Sequence, residues 1–251
     1  MDQTMPGASH DPGLSLLVLG CDGSWPGPGG AGSGYLVRSG TTCVLVDAGP
    51  GTFANFQRLA DPARLDAIVI SHHHPDHWTD LYGLATQARF VSGRTGIPVF
   101  APRGVAQRAQ LEDAPALDWR TVTDGDRIDI GDIACGFHRT EHSRETLAVR
   151  MDSGARSLGY SADSGPGWAL ADLGTELDLV LCEATYTTDH EGTAGHMSGR
   201  QAGEQAKRAA ARRLVVTHRW PTVEASAVIT EAEETFGARV EQAVIGKEFK
   251  L

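Results

Sequence analysis

The chain has 251 residues, 41% of them hydrophobic and 22% charged, a globular composition long enough to bury a full core without staples. A formal net charge of −10 and a pI near 5.4 disfavour long nucleic-acid polymers, whose affinity comes largely from clustered Lys and Arg. A small anionic molecule held at a metal centre is left open, because divalent ions reverse the local field.

Residues 1–13 carry Asp2 and Asp11 but no Lys or Arg, so they read as a disordered tail rather than a signal peptide, with His10 incidental. The apolar run Leu14–Leu19 is too short to span a bilayer, and no membrane partner is expected. Leu14–Gly20, Tyr35–Arg38 and Cys43–Asp47 are predicted strands separated by Gly/Pro-rich connections. Gly51–Ala60 follows as a helix, and Ala67–Ile70 as a strand that runs into a group of histidines. A helix is expected over Trp78–Val91 and a strand over Ile97–Ala101. Arg127–Phe137, Thr146–Met151 and Arg156–Ser161 carry the strand patterns of a meander. Leu177–Cys182, Ser198–Ala211, Leu214–Thr217, Val223–Phe236 and Arg239–Ile245 then alternate strand and helix. Such an order suggests one domain over 14–251, with stacked sheets inside and helices outside. The cysteines, Cys21, Cys43, Cys135 and Cys182, contain no Cys-x-x-Cys pair and read as reduced thiols of a cytoplasmic protein.

Chemistry concentrates in residues 71–80, SHHHPDHWTD, where His72, His74, Asp76 and His77 form His-x-His-x-Asp-His. Imidazole is a common neutral ligand for Zn²⁺ and related ions. On extended chain His72 and His74 share a side, and the bend at Pro75 lets Asp76 and His77 face a second ion beside the first. His73 then points away, to a supporting position or to solvent. Three further candidates sit at predicted strand ends: His142 in RTEHSRET, Asp163 in YSADSG and His218 in VVTHRWP. Asp163 can bridge two ions, since a carboxylate has two oxygens. His138 precedes the loop, within the strand IACGFH, and is passed over in favour of His142.

The order LVDAGPG, SHHHPDH, TEHS, YSADSG, THRWP resembles the metallo-β-lactamase fold, a four-layer αββα sandwich of the α/β class with a dinuclear site between its sheets. Carried over, the resemblance assigns His72, His74 and His142 to one metal and Asp76, His77 and His218 to the other, with Asp163 shared. Asp47 falls at the acidic position that orients a ligand. CEATY, with Glu183, and GHMSGRQAG, with His196, look like the paired loops of the ribonuclease Z-like phosphodiesterase branch. There the His, oriented by the Glu, donates a proton to the leaving oxygen. Asp76, His196 and Glu183 are thus the expected catalytic residues. Ser198 and Gln201 make a capping-box pattern, so His196 should precede a helix N-terminus, a favourable place for an anion. GCDGSWPGPGGAGSGYLV and HMSGRQAGEQA look most like bacterial cyclic-nucleotide phosphodiesterases. The tRNA-processing members carry a long arm between the third metal His and the bridging Asp; His142 and Asp163 are only 21 positions apart, so tRNA maturation is disfavoured.

The expected function is therefore phosphodiester hydrolysis on a small substrate, a cyclic nucleotide first, by a hydroxide bridging two divalent ions. Zn²⁺ suits the His/Asp set, with Mn²⁺ and Fe²⁺ as alternatives. Two competing readings stand beside it. One is a hydrolase of a lactone, thioester or amide, for which Glu183 and His196 would be bystanders; the other is a metal-stabilised binding protein. Departures from the branch are Cys182 where a His usually precedes Glu-Ala-Thr, Ala162-Asp163-Ser164 for Gly-Asp-Thr, and the bulky Trp78, a core residue or a stacking surface. The loop Pro26–Gly30 either covers the site or merely connects strands. Arg200, Lys207, Arg208, Arg212 and Arg213 read as a solvated helix face. Members of the branch are often homodimers, which leaves that state open here.

Overall fold

The computed structural model describes residues 13–251; the tail expected over 1–13, with His10, falls outside the described residues except for Gly13. Alternation builds the first sheet. In β1 (Leu14–Gly20), Leu14, Leu16 and Val18 point to one face and Leu17 and Leu19 to the other, and both faces are buried. β2 (Gly34–Ser39) and β3 (Thr42–Ala48) continue antiparallel to it. After α1 (Thr52–Leu59) the chain adds β4 (Ala67–Val69) parallel to β3. α2 (Leu81–Phe90), β5 (Ile97–Ala101), α3 (Val105–Ala109) and β6 (Leu117–Thr121) complete that half of the chain.

The second sheet opens as a meander of β7 (Arg127–Ile130), β8 (Ile133–Arg139), β9 (Leu147–Ser153) and β10 (Arg156–Tyr160). It then turns parallel through β11 (Leu179–Glu183), α4 (Gly199–Arg208), β12 (Leu214–Thr217), α5 (Ala225–Phe236) and β13 (Val240–Gln242). The last strand, β14 (Glu248–Lys250), returns to pair with β1. The sheets run β14-β1-β2-β3-β4-β5-β6 and β13-β12-β11-β10-β9-β8-β7. One apolar core lies between them, around Val44, Val46, Phe137, Met151 and Tyr160. A second packs the first sheet on α1 and α2, and a third packs the other sheet on α4 and α5. This is the αββα sandwich expected from the sequence. α4 and α5 approach closely because Gly203 has no side chain: a Cβ there would meet the Ala232 carbonyl at 2.4 Å.

Three elements escape the sequence patterns: α3, β6 and β14. β6 is an edge strand that buries only Leu117 fully, and β14 has three residues of which Phe249 alone is buried. The run Arg127–Phe137 is a hairpin, broken at Gly131–Asp132, and not a continuous strand. The helix expected from Trp78 starts at Leu81, because Pro75–His77 form a 3-10 turn first. No helix among the described residues is long and apolar enough to cross a membrane.

Candidate metal centre

β3 and β4 run parallel, as do β10, β11 and β12, so each sheet brings several strand C-termini to one edge. Asp47, the 72–77 turn, Asp163, Glu183 and His218 all emerge there. His142 joins them from the loop between β8 and β9. Pro75 opens the 3-10 turn that swings Asp76 and His77 away from His72 and His74. Four non-glycine residues of this region, Ser24 (φ 60), Asp47 (φ 56), Ala162 (φ 49) and His218 (φ 55), hold left-handed backbone, a conformation that costs of order 1 kcal/mol or more and gathers at functional sites.

The seven ligand candidates converge as two sets. His72, His74, His142 and Asp163 form one, and Asp76, His77 and His218 the other. In the first, His72 Nε2 lies 2.9 Å from His74 Nδ1, and His142 Nε2 lies 3.2 Å from His74 Nδ1. Asp163 Oδ2 is 3.4 Å from His72 Nε2 and 3.7 Å from His142 Nε2. In the second, Asp76 Oδ2 is 3.4 Å from His77 Nε2 and 3.3 Å from His218 Nε2. Asp163 Oδ1 faces this set, 3.2 Å from His77 Nε2 and 3.4 Å from His218 Nε2. Donors about 2.0–2.2 Å from one tetrahedral ion stand roughly 3.3–3.5 Å from each other; the second set lies close to that spacing and the first, from 2.9 to 3.7 Å, brackets it. The donors also need a partner. His77 Nε2 and Asp163 Oδ1 are buried and make no hydrogen bond, a state that costs about 1–3 kcal/mol per group unless something else satisfies it. The residues fit divalent cations.

Burial, together with the neighbouring imidazoles, pushes His74 down to about 3. Burial likewise lowers His142, to about 4, against the pull of Asp163, so both rings are neutral as ligation requires. Burial opposes charge on His77 as well, but Asp163, Asp76 and Asp47 outweigh it and raise this group well above the usual range. Asp76 and Asp163 are held well below the usual carboxylate range; burial pushes each up, and the surrounding imidazoles overcome it. The carboxylates around His77 therefore hold a proton on it that a bound cation would displace.

Several of the groups that orient these donors were not legible in the sequence. Asp47 Oδ2 lies 2.8 Å from His77 Nδ1, as the resemblance implied, and the Ser71 amide, the Ser71 hydroxyl and the Tyr160 hydroxyl all donate to the same carboxylate. Ser71 and Tyr160 open the stretches SHHHPDH and YSADSG, but nothing in residue type marked them as orienting groups. Thr185 was also missed: its hydroxyl donates to Glu183 Oε2 at 2.8 Å and sits 3.0 Å from His218 Nδ1. The Ser24 amide donates to Asp76 Oδ2 at 2.9 Å. These contacts fix ring orientation and tautomer, leaving Nε2 of His77 and of His218 toward the centre.

His196 Nδ1 is 3.0 Å from Glu183 Oε1, and His196 packs against both His142 and His218. With Asp163 and His218 it forms a third group of converging donors. Burial disfavours the imidazolium, yet Glu183 outweighs it and lifts His196 to about 9. The capping box at Ser198–Gln201 opens α4 directly after it, as the sequence predicts. Trp78 is packed in the core, its indole N–H donating to the His73 carbonyl, so it offers no stacking face. His73 is half-buried beside a cavity of about 310 Å³ shared with Arg108 and Arg144. His138 sits on β8, outside the donor groups. Cys182 is buried in β11. Of the basic run, Arg200 pairs with Glu191 and Glu204, Arg208 with Glu204, Arg212 with Asp178 and Arg213 with Glu241.

Two stacked sheets with such a centre at their shared edge define a metal-dependent hydrolase of the metallo-β-lactamase fold. The chain belongs to the β-lactamase superfamily, whose domain matches residues 42–219. It is similar to an uncharacterized protein of Mycobacterium leprae, 32% identical over 98% of this chain and 92% of that one. The probable metallo-hydrolase YhfI of Bacillus subtilis is 31% identical over 82% of this chain and 86% of its own. The crystal structure of YhfI superposes with a TM-score of 0.89 at 26% identity, covering 95% of this chain and all of the other. A ribonuclease Z of Kineococcus radiotolerans is 29% identical over 83% of this chain and 85% of its own.

Proposed function

We propose that the protein is a phosphodiesterase with two divalent metal ions, acting on a small phosphodiester, in first place a cyclic nucleotide. His72, His74 and His142 would hold one ion and Asp76, His77 and His218 the other, with Asp163 giving one oxygen to each. The His/Asp donors suit zinc first, then manganese or iron. Bound ions supply a nucleophile from water at neutral pH and neutralise charge on the phosphoryl oxygens.

The observation that carries the reading is the His196–Glu183 contact beside Asp163 and His218. Expelling an alkoxide from a phosphodiester requires a proton. Glu183 occupies Nδ1 of His196, which leaves Nε2 as the atom that delivers it, and general-acid help of this kind is typically worth about 10²–10⁴ in rate. Glu183 is itself fixed by the Ser164 and Met197 amides and by Thr185, so the proton donor and the metal ligand His218 share one carboxylate. Two further points favour a small substrate. The chain between His142 and Asp163 is taken up by the β9–β10 hairpin, which leaves no protruding arm, and the protein is acidic. The ribonuclease Z relative supports phosphodiester as the bond class. The free cysteines fit a cytoplasmic location, and residues 14–251 form the catalytic unit.

The test is a hydrolysis panel on metal-loaded protein, setting 3′,5′-cyclic nucleotides and bis(p-nitrophenyl) phosphate against lactones, thioesters, amides and β-lactams, with metal analysis of the same sample. Phosphodiester turnover with two ions per chain is expected. Turnover confined to carboxyl derivatives would overturn the assignment, and so would a protein that binds metal but hydrolyses nothing.

A further inference from the structure

Beside the donors Asp76 and His218 the chain builds a loop that does more than orient a donor. The segment Asp22–Ser24 is wedged between them: Asp22 bridges to Arg219, the Gly23 amide donates to the Arg219 carbonyl at 2.9 Å, and the Ser24 amide donates to Asp76. Gly23 admits no side chain, since a Cβ would lie 2.2 Å from the His218 carbonyl oxygen. Ser24 takes left-handed backbone (φ 60) to make its turn, and Asp22 Oδ2 accepts the Gly27 amide at 2.9 Å, closing the loop on itself. What this arrangement presents is Trp25, 44% exposed, while Trp78 and Trp168 are buried. Its ring lies 5.9 Å from that of Trp220, two residues beyond His218, and the Trp220 indole N–H donates to the Ser24 hydroxyl. Trp220 is braced in turn by Tyr186 at 5.6 Å, edge to face, and by its own amide on the Thr185 carbonyl.

We propose that Trp25 and Trp220 form an aromatic platform beside the Asp76–His77–His218 donors that stacks on the nucleobase of the substrate. The two rings are already within direct contact of each other, so they offer a continuous wall and not a slot. An exposed indole fixed by strained backbone next to a catalytic centre has no stabilising role that burial would not serve better. A base offers it a flat π-face, and such stacking is tolerant of base identity. The inference rests on the phosphodiesterase reading for the sugar and phosphate of the ligand, and adds the ring.

Binding to metal-loaded protein separates the two. Calorimetry should show adenosine 5′-monophosphate bound at least about tenfold more tightly than ribose 5-phosphate, the size expected of one base on an aromatic surface. Trp25→Ala should collapse that preference to within about threefold, Trp25→Phe should keep part of it, and Trp119→Phe, remote from the loop, should leave it intact. Equal affinity of the unaltered protein for the two ligands, or no measurable binding of the nucleotide, would overturn the platform. So would a preference that survives Trp25→Ala, or a variant that weakens both ligands alike. If the nucleotide preference depends on Trp25 but no phosphodiester is turned over, the platform stands and the catalytic reading fails.

Discussion

The two donor sets are held in different ways. Asp76, His77 and His218 are buried, and each has a dedicated partner: Ser24 for Asp76, Asp47 for His77, Thr185 for His218. In the other set His74 is only partly buried, and less supports the rings: Ser71 on His72 Nδ1, and the Gly195 carbonyl 3.3 Å from His142 Nδ1. One half is preorganised by charge and by hydrogen bonds from distant segments, the other by fewer such contacts. The first should bind its ion more tightly, and the second should be the side that exchanges and adapts.

The largest test of that contrast removes what the halves share. Asp163→Ala takes an oxygen from both sets, and we expect loss of both ions by metal analysis and a fall in phosphodiester turnover of roughly a thousandfold or more. His196→Ala should cost about 10²–10⁴ in kcat for substrates with alkoxide leaving groups, but under about tenfold for p-nitrophenolate, which leaves without a proton. Asp47→Asn should weaken the ion at His77 by about 10–100-fold in a competition titration while the ion at His72, His74 and His142 is retained. Loss of both ions together would show that the halves are not independent.

A subtler test reads the proton donor. Glu183 raises His196 to about 9 in the metal-free protein, so the imidazolium is present below that pH and is lost as pH rises through it. NMR titration of the metal-free protein should follow this, and Glu183→Gln should bring the midpoint well down, because burial then acts unopposed by that carboxylate. The smallest expected effect is at Ala162. Its left-handed backbone favours glycine, so Ala162→Gly trades relieved strain against a lost methyl and added chain entropy and should change stability by less than about 1 kcal/mol. Ala206→Gly, inside α4, has no strain to relieve and should cost more than that by denaturant unfolding.

The same division runs through what could be read in advance. The 72–77 cluster is legible because its donors are consecutive and Pro75 sets the bend between them. His142, Asp163 and His218 each stand alone at a strand end, and single residues of those types are common; their order along the chain, matched to a family pattern, is what distinguishes them. Ser71, Thr185 and Tyr160 lie inside the motifs but have no role legible there, and nothing singled out the Ser24 amide. A serine, a threonine, a tyrosine or a backbone N–H becomes an orienting group only through the direction in which the fold points it. At Trp78 the sequence left a core residue and a stacking surface both open, and packing in the core beneath the first sheet decides for the first. Short edge elements such as β6 and β14 were invisible for a related reason, since they bury too little for the alternation to register.

The sequence by itself carried the strand alternation of the layered fold and the 72–77 donor cluster, because both are written in residue type and spacing; the αββα architecture and the scattered donor candidates His142, Asp163 and His218 came from the resemblance to a family pattern. The tertiary structure decided which oxygen of Asp163 faces each donor set, that Glu183 reaches His218 through Thr185, and that Trp25 rather than Trp78 faces outward. Those are relations between segments as much as 196 positions apart, such as Ser24 and Trp220. Only the stacking of two sheets, with parallel strands ending at a common edge, brings such segments within hydrogen-bonding distance.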